Sequence, residues 1–193
     1  MKQLIVILLC AFLSVTGLYA QEPVKQATPH HHHHHGNGHP HHHDGNHQGP
    51  HGPRTPAAIQ YNADGIQTDI VEAFPTVKKV VKKGVWNEVL DAKGKRLGYV
   101  VFSKPASDGV KGFNGETPVM IAFDAKKVIK GVYQLPNIEG GRFLQSVSDA
   151  GLYKSWNGLT VKQAKKKTVE TVSGATFTSR AVIQSVQKAL EQL

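Results

Sequence analysis

Glu170-Thr171-Val172-Ser173-Gly174-Ala175-Thr176-Phe177-Thr178-Ser179-Arg180 is a run of small and hydroxyl-bearing residues that leads into a periodic apolar segment. Val182, Val186, Ala189, Leu190 and Leu193 recur at i, i+4, i+7, i+8 and i+11, which is one face of a helix. Thr178 or Ser179 is the expected N-cap. A glycine turn ahead of a helix start gathers free backbone N–H groups around one point, and the helix dipole adds partial positive charge there. Such a place suits an anion, a phosphate above all. The hydroxyls of Ser173, Thr176, Thr178 and Ser179 crowd the same spot. Small hydroxyl residues before a helix are more often plain caps, so local physics offers a phosphate cradle without naming a cofactor.

Upstream of this stretch the pattern is mixed. Ile66, Ile70, Val71, Phe74 and Val77 fall at helical spacing, and Pro75 ends or kinks that first helix. Val85 to Leu90 reads as a strand, Asp91 to Lys95 as a turn, and Leu97 to Ser103 as the returning strand. Lys111-Gly112-Phe113-Asn114-Gly115 reads as a glycine-punctuated loop. Pro118 to Asp124 and Val128 to Leu135 form a second strand pair, and the alternation of Val119, Ile121 and Phe123 marks a buried face. Helix, strands, then helix predicts a single α+β domain: an antiparallel sheet with flanking helices.

The segment Ser173 to Ser179 resembles the flavin-attachment signature of the bacterial FMN-binding domain. That family includes the C subunit of the sodium-pumping NADH:quinone reductase, the G subunit of the Rnf complex and free-standing extracytoplasmic flavoproteins. Its pattern is an acidic residue, two variable residues, Ser or Thr, then Gly-Ala-Thr. The resemblance implies that Thr176 carries FMN through a phosphoester, placed there by a flavin transferase. Glu170 stands at the acidic position, where the family usually has Asp. Leu97 to Phe102 with Val110 to Gly115, then Ile121 to Asp124 with Ile129 to Val132, are similar to the family's sheet. A Glu-Thr-Pro-Gly loop near the flavin corresponds here to Glu139-Gly140-Gly141-Arg142-Phe143, with only the Glu retained. Trp156-Asn157-Gly158-Leu159 resembles a motif of the free-standing branch. The implied cofactor-binding residues are Thr176, Ser173, Gly174, Ala175, Thr178, Glu139, Gly140 and Glu170. Trp156 is a core plug or a flavin-stacking residue, and Arg142 a phosphate partner or a surface cation.

Residues 1–20 read as a secretory signal. Lys2 supplies the positive end, Leu4 to Val15 the apolar core, and Ala20 the small residue before the cleavage point. The apolar run is shorter than the roughly 20 residues that a spanning helix needs. Export to the periplasm or the outer face of the cytoplasmic membrane follows. The lone Cys10 lies within this leader, so the mature chain offers neither disulfides nor iron–sulfur ligands. Residues 21–56 are low in complexity and hold all 12 histidines, with no apolar residue among them. They read as a disordered linker that cannot build a core. His30, His31, His32, His33, His34, His35, His41, His42 and His43 form a dense imidazole array suited to Zn, Ni or Cu.

The domain expected over residues 57–193 has no histidine and no cysteine, which removes Ser–His and Cys–His nucleophilic catalysis. No Walker, HExxH or GxGxxG pattern is present. The net charge of +9 comes from scattered lysine pairs without an aromatic RNA-binding signature, so nucleic acid is not an expected partner. The expectation is an exported flavoprotein that carries electrons rather than a stand-alone catalyst. Its partners would be the transferase and a membrane or periplasmic redox protein. The alternative is a His-rich metal-binding protein with a non-catalytic domain.

Overall fold

The computed structural model describes residues 54–193. The leader, the nine candidate metal-binding histidines and nearly all of the His-rich linker lie outside them. In chain order the elements are helix α1 (Thr68–Ala73), strands β1 (Lys79–Lys83), β2 (Trp86–Leu90), β3 (Arg96–Phe102), β4 (Val119–Asp124) and β5 (Ile129–Gln134), then helices α2 (Gly141–Asp149), α3 (Val161–Lys165) and α4 (Thr176–Glu191). A short 3-10 turn, Leu152–Lys154, lies between α2 and α3. The five strands form one sheet in the order β1-β2-β3-β4-β5, each antiparallel to the next. The fold is the expected α+β domain with an antiparallel sheet flanked by helices.

Tight turns explain the meander. Asp91 and Asp124 close their hairpins in the same way. Asp91 Oδ1 accepts from the amides of Lys93 and Lys95 at 2.8 and 2.9 Å. Asp124 Oδ1 accepts from those of Lys126 and Val128 at 2.8 and 2.9 Å. A short acidic side chain thus replaces the backbone partners that the turning chain gives up.

β4 is the central strand in energetic terms, because both its faces are covered. Val119, Ile121 and Phe123 pack with Trp156, Val182, Val186, Ala189 and Leu190 in one core cluster. Met120 and Ala122 face a second cluster with Ile66, Ile70, Phe74, Val89 and Val100. The period-two alternation therefore sorts residues between two cores rather than between core and water. Each fully buried Val or Leu of α4 contributes about 1.5–3 kcal/mol of burial free energy.

Two expectations need correction. The first helix ends at Ala73, and Val77 belongs to the chain leading into β1, a strand that the helical spacing concealed. Gly140-Gly141 does not continue a loop: Gly140 is the N-cap of α2 and Gly141 its first residue. The lysine-rich segment after Thr160 forms α3, whose Thr160–Gln163 capping box satisfies amides at its start. Among the described residues no helix is long and apolar enough to cross a membrane.

Candidate functional site

α4 begins at Thr176, two residues before the earlier of the two expected caps, and Ala175 occupies the N-cap with no side-chain hydrogen bond to the first turn. Thr178 and Ser179 lie inside that first turn because their hydroxyls are used elsewhere. Ser179 Oγ donates to the Ala175 carbonyl at 2.9 Å and accepts from the Val172 amide at 3.0 Å. This single hydroxyl staples the approach of the chain to the start of the helix. Between the stapled points Ala175 N donates to Val172 O at 3.0 Å. Gly174 sits at the third position of that turn with φ 76°. A Cβ there would meet nothing within 4 Å, so glycine is required by the dihedral and not by crowding.

Thr178 is buried, and its Oγ1 donates to Glu139 Oε2 at 2.9 Å. The other carboxylate oxygen of Glu139 accepts from the amides of Asn114 and Gly115 at 2.9 and 3.1 Å. Glu139, 8% exposed, thus clasps the 112–115 loop onto the first turn of α4. Gly112 permits this closeness: a Cβ on it would lie 2.3 Å from Glu139 Oε1. The sequence reading placed Glu139 and Thr178 at the ligand. The structure brings both to the site, with their polar atoms bonded to each other and to the loop.

The remaining groups define what the site can bind. The first backbone bond of α4 is Ser179 N to Ala175 O at 2.8 Å. The amides of Thr176, Phe177 and Thr178 have no acceptor among the described residues. Half-buried Thr176 accepts from Ser179 Oγ through its carbonyl at 3.2 Å, and its hydroxyl makes no hydrogen bond among the described residues. Helix ends normally satisfy such donors with a side-chain cap, water or a ligand. An uncapped start with partial positive charge and one free hydroxyl at its first residue fits a phosphate bearing an ester-linked group.

Aromatic side chains lie on the same elements. Phe113 on the clasped loop is 62% exposed, and Phe177 in the first turn of α4 is 61% exposed. Phe113 pairs with half-buried Phe143 at a centroid distance of 5.1 Å. The guanidinium of Arg142 sits 5.0 Å from the Phe143 ring and that of Arg180 6.0 Å from the Phe177 ring. Exposed aromatic faces offer stacking area to a flat ring system. The sequence reading gave none of these phenylalanines a role. The signal was a Phe set between glycines in Gly112-Phe113-Asn114-Gly115, a residue with no apolar periodicity to join.

Other expected residues are placed as follows. Ser173 and Gly174 are exposed, Ala175 is buried, and Gly140 is half-buried. Glu170 is exposed on the irregular segment leading to the turn. Trp156 is 1% exposed within the core beside α4, which makes it a packing residue. Among the described residues no group of three or more His, Cys, Asp or Glu side chains is arranged to hold a metal ion.

Residues 112–191 match the model of the FMN-binding domain. The match begins at Gly112 and runs to the last residue of α4, so it contains the clasped loop, Glu139, the turn and Thr176. No curated protein matches the chain. FMN fits what the residues provide: a phosphate-ready helix start beside exposed aromatic surface.

Proposed function

We propose that this chain is an exported electron-carrying flavoprotein in which FMN is esterified through its phosphate to Thr176. The observation that carries this reading is the uncapped start of α4, where the amides of Thr176, Phe177 and Thr178 have no acceptor, and the Thr176 hydroxyl no partner, among the described residues. FMN, when bound, supplies one- and two-electron redox chemistry. The chain's own residues hold and orient it. The amides of Thr176, Phe177 and Thr178 stabilise the phosphate charge. Ser179 and Glu139 keep those amides in place. Phe113, Phe143 and Phe177 offer apolar surface to the ring. Glu170, exposed ahead of the turn, is available to a modifying transferase, and the leader directs the chain to the periplasm or the outer face of the cytoplasmic membrane. There it would exchange electrons with a membrane or periplasmic redox partner.

The test is production with and without a flavin transferase, followed by denaturation and gel separation. Flavin fluorescence that stays with the polypeptide only when the transferase is present, and disappears in Thr176→Ala, is expected. Fluorescence retained in Thr176→Ala overturns the assignment of the attachment point.

A further inference from the structure

Asn114 and Gly115, whose amides Glu139 holds, also wall a cavity of about 740 Å³. That volume lies in the range of roughly 300–1,000 Å³ typical of small-molecule sites. Its apolar lining includes Ile59, Phe102, Pro118, Leu135 and Ile138. Thr176 and the turn before it are not on the wall. Ile59, Gln67, Phe102, Lys104 and Lys111 all precede Gly112, so this side of the cavity lies outside the FMN-binding match.

The polar groups on the wall divide into spent and unspent. Lys104 pairs with Glu116 and, at 3.4 Å, with Asp108. Glu116 also accepts from the Gly109 amide at 2.7 Å. The Gln67 amide donates to Asp69, and Asn137 uses both ends of its side chain, donating to Leu135 O and accepting from Glu139 N. Lys111 and Asn114 form no side-chain hydrogen bond or ion pair among the described residues. Lys111 is flanked by Glu116 across a backbone bridge, but that carboxylate is already held by Lys104. Lys111 and Asn114, two exposed residues on the cavity wall, therefore have side chains without a hydrogen-bond or ion-pair partner among the described residues.

We propose that this cavity is a second small-molecule site that takes an amphipathic monoanion, its apolar body against Phe102, Leu135 and Ile138 and its charged head on Lys111 and Asn114. Lining, volume and the side chains of Lys111 and Asn114 select the same ligand chemistry: burial rewards the body, and a charge-assisted hydrogen bond fixes the head. The site does not depend on the flavin reading, since none of its unspent groups belongs to the helix start.

Calorimetric titration of the full chain with decanoate, kept below its micelle concentration, tests this directly. Saturable one-to-one binding is expected, with 1-decanol about tenfold weaker because it lacks the charge. Lys111→Gln should bring decanoate down to the level of decanol, and Ile59→Glu should abolish decanoate binding. Both variants should keep wild-type circular dichroism and wild-type flavin content. No saturable binding, wild-type decanoate affinity in Lys111→Gln, or loss of bound FMN on adding decanoate would each overturn the proposal. Failure of the flavin reading appears separately, as absence of flavin from a chain that still binds decanoate.

Discussion

Four hydroxyls crowd residues 173–179, and the structure gives them different work. Thr178 and Ser179 are structural, whereas the Thr176 hydroxyl makes no bond within the described residues and stands at the first residue of the helix. Their substitutions should separate cleanly. Thr178→Val removes the donor to Glu139 Oε2 and should cost about 1–2 kcal/mol in urea unfolding. Thr176→Ala should change unfolding by less than about 0.5 kcal/mol, since it removes no bond and little buried area. A large loss in Thr176→Ala would show that its hydroxyl is structural. Gly112→Ala must displace Glu139, because its Cβ would meet that carboxylate at 2.3 Å. Its expected signature is faster amide exchange at Asn114 and Gly115, readable by NMR. The presence of a hydroxyl cluster was legible in the sequence, but the division of labour was not. It depends on Glu139, 39 residues from Thr178 and brought to it only by the fold.

At the scale of elements, most of the sheet could be read from local pattern. Alternation in β4 and the turns after Asp91 and Asp124 are signals within a few residues; the turns hold, whereas the alternation marked one buried face of a strand that is buried on both. β1 was hidden because Val77 continued the helical spacing of Ile66, Ile70 and Phe74, although a Pro intervenes. α2 was hidden by glycines at its cap and first residue, and α3 by its brevity. The start of α4 differs from the expected cap because cap preference assumes that Thr and Ser serve their own helix end. Here Ser179 serves the preceding turn and Thr178 serves Glu139. Gly174→Ala should therefore cost about 1–2 kcal/mol by forcing a side-chain residue to positive φ. It should also lower flavin incorporation, because the turn sets the position of Thr176. Unchanged stability with normal flavin loading would contradict this account of the turn.

For the whole molecule, pH dependence follows from two carboxylates. Hydrogen bonding to Lys83, and then to Arg96, holds Glu88 below the usual carboxylate range. Lys104, and then the Gly109 amide, does the same for Glu116. A carboxylate with a depressed folded-state pKa stabilises the fold at pH above its unfolded value of about 4.3, and that stability is lost as pH falls through the lower folded value. Urea midpoints should thus be flat from about pH 5.5 to 8, the more so because residues 54–193 hold no histidine. They should fall below about pH 4.3, and the double variant Glu88→Gln/Glu116→Gln should fall less steeply there. A midpoint that changes strongly near neutrality would point to a titrating group that the described domain does not contain.

The most direct measurement is the intact mass, under denaturing conditions, of the full chain produced with a flavin transferase, with peptide mapping of the modified species. A mass gain of one FMN less one water, located on the peptide that contains Thr176 and absent from Thr176→Ala, is the predicted result. Bare polypeptide that also fails to bind added FMN, or the same gain located on another residue, would contradict the account.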